Sequence, residues 1–96
     1  MTDENFLDKL ENIIADRLAN PQVESYTSSL ASMGVKRVAQ KVGEEAVELA
    51  LASVDGSDGE VLDEAADLVY HVLVLLRVRQ LSLDDVVAVL EARHTG

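Results

Sequence analysis

Acidic side chains at helical spacing carry most of the chemistry available to this sequence. Glu44, Glu45 and Glu48 form a Glu-Glu-x-x-Glu run, with Lys41 just ahead of it. After fifteen intervening residues, Glu64 and Asp67 form Glu-x-x-Asp, and Glu60 and His71 extend that line to i, i+4, i+7 and i+11. At about 100° per residue, the first set lies beside an apolar stripe and the second borders an apolar half-circumference. Two such helices packed antiparallel through their apolar stripes bring the acids face to face as one carboxylate cluster. Hard divalent cations such as Mg²⁺ take oxygen ligands of this kind and keep several waters. Without a cation the gathering is unfavourable, because like charges at i, i+4 repel and a half-buried carboxylate resists ionisation. Glutamates on a helix also read as a plain solvated face, so metal site and acidic surface both remain open on pattern alone. A carboxylate-bridged di-iron bundle is disfavoured, since the usual Glu-x-x-His pair is missing. His71 reads as a buried or interface histidine rather than a ligand.

One basic cluster, Lys36, Arg37 and Lys41, stands a turn before the acids. It suits a phosphate contact beside a metal, and equally i, i+4 pairing such as Lys41 with Glu45. Ser25, Thr27, Ser28 and Ser29 offer hydroxyls to a ligand or to a helix cap. No Gly-x-x-x-x-Gly-Lys-Ser/Thr loop or dinucleotide fingerprint is present. The chain has no cysteine, which excludes disulfides, thiolate zinc sites and a cysteine nucleophile.

The elements that must position these residues are helices throughout. Phe6, Leu7, Leu10, Ile13, Ile14 and Leu18 recur at 3.6-residue spacing, and Asn20-Pro21 ends that helix. Ser25 to Ser29 reads as a polar connector, followed by a short helical turn through Leu30 and Met33 that ends at Gly34. A second long helix is expected from Val35 to about Val54, with Val35, Val38, Val42, Ala46, Leu49 and Ala50 on one side. Residues 55–59 form a loop, and Ser57 with Glu60 makes a capping box for a third long helix reaching about Val78. Ser82 starts the last helix, with Asp84 and Asp85 in its first turn and Arg93 and His94 near its end, where the helix dipole favours them. The fold class is all-α, a bundle of four to five helices.

Residues 1–96 make a single domain. Hydrophobic residues at 48% and charged residues at 27% exclude disorder by composition. The balance of 18 acids to 8 bases, net −10, argues against nucleic acid as a partner but not against a phosphorylated ligand held through a metal. The acidic stretch 1–5 resembles neither a signal nor a transit peptide, and no apolar run is long enough to span a membrane. A cytoplasmic protein is expected. The third long helix is apolar over about half its circumference, wider than a surface helix needs, and a core with few aromatics is thin. Both features predict completion of the bundle as a homodimer.

Three segments together resemble the phosphoribosyl-ATP pyrophosphohydrolase family: Ser25-Tyr26-Thr27-Ser28-Ser29-Leu30, Lys41-Val42-Gly43-Glu44-Glu45-Ala46-Val47-Glu48, and Glu64-Ala65-Ala66-Asp67-Leu68-Val69-Tyr70-His71. That family belongs to the all-α nucleoside triphosphate pyrophosphohydrolases, and the resemblance covers nearly the whole chain. It implies Mg²⁺-dependent hydrolysis of phosphoribosyl-ATP to phosphoribosyl-AMP and pyrophosphate, the second step of histidine biosynthesis. It also implies a dimeric helix bundle with active sites near the subunit interface. Glu44, Glu45, Glu48, Glu64 and Asp67 would bind the metal, and Glu44 or Glu45 would act as general base. Lys36, Arg37, Lys41, Ser25 and Thr27 are the candidate substrate contacts. Many relatives are fused to the cyclohydrolase acting next, which this chain is expected to leave to a separate protein. Two other functions compete: a housecleaning (d)NTP pyrophosphohydrolase, weakly disfavoured by the scarcity of aromatics, and a non-enzymatic helical interaction module.

Overall fold

A computed structural model describes residues 6–95, and five helices account for nearly all of them. The acidic stretch 1–5, on which the expectation of no signal or transit peptide rests, lies outside the described residues. The helices are α1 (Phe6–Ala19), α2 (Tyr26–Ser32), α3 (Val35–Asp55), α4 (Asp58–Val78) and α5 (Leu83–His94). No strand occurs among the described residues, so the chain is all-α.

The long pair α3 and α4 forms the main packing unit, and α1 and α2 lie across it. Only Gly56 and Ser57 separate the pair, which forces an antiparallel hairpin. Gly56 donates its N–H to Ala52 O at 2.7 Å, and a Cβ at Gly56 would sit 2.7 Å from that same oxygen. The close turn therefore requires glycine. Ser57 and Glu60 complete the expected capping box, and Ser82 and Asp85 form a second one for α5. The C-terminus of α4 ends in a Schellman motif: Gln80 N–H donates to Arg77 O and Leu81 N–H to Leu76 O. That motif holds Gln80 at φ 63°, a left-handed conformation usually taken by glycine.

One expectation about α2 needs correcting. The segment Ser25 to Ser29, read as a polar connector, is helical from Tyr26 onward. Ser25 is its N-cap and accepts from Ser28 N–H at 3.2 Å. Ser28 turns inward, donating its hydroxyl to Arg17 O and accepting from Gln22 N–H, both at 3.0 Å. The hydroxyls thus serve α2 and its junction with α1, which a composition rich in Ser and Thr does not reveal.

The core is small. Ile14, Leu30, Val38, Leu73 and Val74 are fully buried, with Leu10, Leu18, Tyr70, Leu75, Val78 and Leu83 packed around them. Of the apolar side expected for α3, Val38 is buried and Val42 and Leu49 are half-buried, whereas Val35, Ala46 and Ala50 stay exposed. A second α3 stripe, Val47, Leu51 and Val54, is exposed on the face opposite Val38 and Glu45, and α4 leaves Leu62 and Val69 exposed. The helix α5 buries none of its residues. It is tethered at its start by Leu83 N–H, which donates to the buried Glu11 carboxylate at 2.6 Å. The chain exposes 6815 Å², against about 5,400 Å² for a folded monomer of this mass.

Candidate active site

The α3–α4 hairpin brings Glu45, Glu48 and Glu64 together, with one carboxylate oxygen from each inside a sphere of mutual distances below 4.8 Å. Glu45 is buried, Glu64 half-buried and Glu48 exposed. The Oε2 atoms of Glu45 and Glu64 are both buried without a hydrogen-bond partner. An orphaned buried carboxylate oxygen is expensive, and two facing one another are more so. The Glu48 carboxyl responds by holding its proton above the ordinary glutamate range. The nearness of Glu64, which a proton on Glu48 would bond, is the main cause, followed by that of Glu45 and the charges of both.

This donor set fits a hard divalent cation. It consists of oxygens only, it contains two acceptors with nothing to accept from, and it opens into a cleft. That cleft holds about 400 Å³ and is lined by Glu48, Leu51, Ala52, Asp55, Gly56, Glu60 and Glu64. Asp55 was not singled out from sequence, since residues 55–59 read as a loop; it is in fact the last residue of α3, seven beyond Glu48 on the same face, and that two-turn spacing is the signal that marks it. Glu60 lines the same cleft while accepting from Ser57 N–H at 3.1 Å.

The remaining sequence-nominated residues lie around this centre. Glu44 stands outside the three-carboxylate group, accepting from Gln40 at 3.1 Å and facing Arg37 at 3.8 Å and Lys41 at 4.0 Å. Lys41 bonds Glu45 at 3.2 Å. That bond holds the lysine charged above its ordinary range against the opposing effect of burial, with further help from Tyr26, Glu45 and Glu44. Lys36 is exposed and has no ion pair among the described residues. Asp67 is exposed and lies outside the close group. Its carbonyl accepts from His71 Nδ1 at 2.7 Å. Ser25 is occupied as a cap, and Thr27, buried, bonds the Tyr70 hydroxyl. His71 is buried, as expected of it from sequence, and its Nε2 lies 2.9 Å from the Tyr26 hydroxyl.

A larger cavity, about 710 Å³, lies elsewhere, between the end of α1, α2 and the end of α4. It contains none of the carboxylates and is mainly apolar, with Arg17 and Arg77 among its walls. Size therefore does not identify the chemistry in this fold.

A family model described as phosphoribosyl-ATP pyrophosphohydrolase matches residues 7–94. The chain belongs to that family. It is 56% identical over 89 residues to the histidine biosynthesis bifunctional protein HisIE of Xylella fastidiosa, covering 93% of this chain and 43% of the relative. It is 54% identical to the HisIE protein of Xanthomonas campestris with the same coverage. With the HisIE protein of Pasteurella multocida it shares 52% over 90 residues, covering 94% of this chain and 45% of the relative. The chain thus spans less than half the length of these relatives. Family membership agrees with a divalent-metal enzyme whose acids converge as they do here. No helix among the described residues is long and apolar enough to cross a membrane.

Proposed function

We propose that this domain hydrolyses phosphoribosyl-ATP to phosphoribosyl-AMP and pyrophosphate, the second step of histidine biosynthesis, in the cytoplasm and with Mg²⁺. The observation that carries this reading is the convergence of Glu45, Glu48 and Glu64 in a chain of this family. Those three carboxylates would hold the metal, with Asp67 one turn from Glu64 on α4 and Glu44 beside Glu45 on α3. When bound, Mg²⁺ would offset the phosphate charge and lower the pKa of water at the site.

The chain's own residues supply positioning and proton transfer. Lys36, which has no ion pair among the described residues, would offer its charge to the triphosphate, while Arg37 and Lys41 would exchange a carboxylate partner for a phosphate one. Of the two candidate bases, geometry favours Glu44, because Glu45 is committed to Lys41 and to the cluster. The attacking water gives its proton to that carboxylate as its oxygen bonds to phosphorus in the α–β anhydride. The bridging P–O bond breaks, and its electron pair leaves with pyrophosphate when the α-phosphorus is attacked or with phosphoribosyl-AMP when the β-phosphorus is. In-line placement and charge stabilisation dominate such reactions. Ser25 and Thr27 contribute by shaping the first turn of α2, since their hydroxyls already have intramolecular partners.

A homodimer completes this reading. Its support is the exposed stripe Val47, Leu51 and Val54, the uncovered Leu62 and Val69, and a surface about 1,400 Å² larger than a folded monomer of this mass needs. The whole is tested by pyrophosphate release from phosphoribosyl-ATP and from a dNTP panel, with Mg²⁺ and with EDTA. Turnover of phosphoribosyl-ATP that stops in EDTA is expected. Robust dNTP turnover without phosphoribosyl-ATP turnover would sink the proposal in favour of a housecleaning enzyme. Sedimentation velocity at micromolar protein should give a dimer, and a monomer under active conditions would overturn that part.

A further inference from the structure

Beside the carboxylates lies an aromatic cluster that the chemistry above leaves unused. His71 is 5% exposed, and its ring is tied at both nitrogens. The Asp67 carbonyl can only accept, so Nδ1–H donates to it at 2.7 Å and Nε2 accepts from the Tyr26 hydroxyl at 2.9 Å. The Tyr26 ring stands edge-on to His71, at 84° and 5.8 Å, and leans on Tyr70 at 31° and 6.2 Å. The Tyr70 hydroxyl in turn bonds Thr27, fixing the first turn of α2. Three side chains, His71, Tyr70 and Thr27, and the Asp67 carbonyl therefore hold the Tyr26 ring directly or through one another, yet that ring remains 53% exposed.

Packing does not explain this arrangement. A half-exposed aromatic ring gains little from burial, while a fixed one loses its rotamer freedom. Its location gives it a use. The Tyr26 hydroxyl bonds His71, which stands one turn beyond Asp67 and two turns beyond Glu64 on α4. The ring thus borders one end of the α4 acidic line, and the Asp55–Gly56 turn closes the other end. From Glu64 to His71, α4 rises about 10 Å, comparable to the reach of a nucleotide from base to phosphates. Among the described residues the other aromatics are Tyr70, half-buried, and Phe6, at the start of α1.

We propose that Tyr26 is a substrate-contact residue that stacks on the purine base, and that His71 is the positioning residue that holds its ring. This assignment rests on the hydrolase reading above. The test is steady-state kinetics with phosphoribosyl-ATP on wild type, Tyr26→Ala, Tyr26→Phe, His71→Leu and His71→Gln. Inhibition by tripolyphosphate, which has phosphates and no base, is measured alongside. Tyr26→Ala is expected to raise KM roughly 5- to 100-fold, the range of one lost base stack, with a smaller change in kcat and an unchanged tripolyphosphate Ki. Tyr26→Phe keeps the ring and loses less. His71→Leu raises KM as Tyr26→Ala does, and His71→Gln recovers it by restoring an acceptor where Nε2 stood. The double variant Tyr26→Ala/His71→Leu is no worse than Tyr26→Ala alone, because both act through one ring.

Equal losses toward substrate and tripolyphosphate would mean a general structural role and overturn the assignment. So would a KM for Tyr26→Ala within twofold of an active wild type, which leaves the hydrolase reading intact. No phosphoribosyl-ATP turnover by wild type would overturn both.

Discussion

Replacing Glu64 by Gln should stabilise this protein when no metal is present and destabilise it, relative to wild type, when metal is added. One oxygen from each of Glu45, Glu48 and Glu64 lies within 4.8 Å of the others, a separation at which two unit charges repel by about 0.9 kcal/mol even in water. Glu64→Gln removes the repulsion against the buried Glu45. It also introduces an amide able to donate to carboxylates that can otherwise only accept. A gain of about 1 kcal/mol raises Tm by about 4–8 °C in a domain of this size. Wild type in Mg²⁺ at 100 times its Kd gains about 2.7 kcal/mol instead, and the variant, missing one ligand oxygen, should keep less than half of that. The order of the two proteins therefore reverses between EDTA and saturating Mg²⁺. Circular dichroism melts at fixed protomer concentration and pH 7 read both comparisons. A variant that melts below wild type in EDTA would refute the repulsive cluster, and an equal metal-induced rise in both would refute Glu64 as a ligand.

Three further outcomes follow from particular groups. The folded protein holds the Glu48 proton above the ordinary value of 4.5. Its stabilising contribution is therefore complete below pH 4.5 and lost as pH rises through the folded value. Metal-free wild type should lose Tm relative to Glu48→Gln across that window, and a constant difference would contradict the shared proton. Gln80→Gly should add about 0.5–1 kcal/mol by relieving a left-handed non-glycine residue, seen as a higher urea midpoint with unchanged slope. Glu11→Ala strips the acceptor from Leu83 N–H and should cost about 1–3 kcal/mol, whereas Glu11→Gln, which keeps an oxygen there, should cost less in the same melts.

Much of this molecule was legible because local signals were strong. Asn20-Pro21 ended α1, Ser57 with Glu60 opened α4, and Ser82 opened α5 with Asp85 completing its box. Helical periodicity alone put Glu45, Glu48 and Glu64 on facing lines. It could not separate them from Glu44 and Asp67, because about 100° of helix surface spans both the groove and its rim. The helical state of Tyr26 to Ser29 was hidden by side chains that favour turns until their hydroxyls find buried partners. Gln80 carried no stop signal, since its left-handed conformation is imposed by the Schellman bonds and not by its own preference. Tyr26 with His71 was out of reach for another reason: a bond between residues 45 apart depends on how α2 crosses α4.

The tether between Glu11 and Leu83 joins residues 72 apart and, with the packing of Leu83 on the core, holds the start of a helix that has no fully buried residue. A helix of 12 residues is marginal in water without packing. In the isolated chain α5 is therefore a separate opening unit, able to detach at the Gln80 turn while α3 and α4 stay joined. No carboxylate of the cleft lies on it. Changes in α5 should thus alter how quickly a protease finds this end of the chain without touching the carboxylates of the cleft.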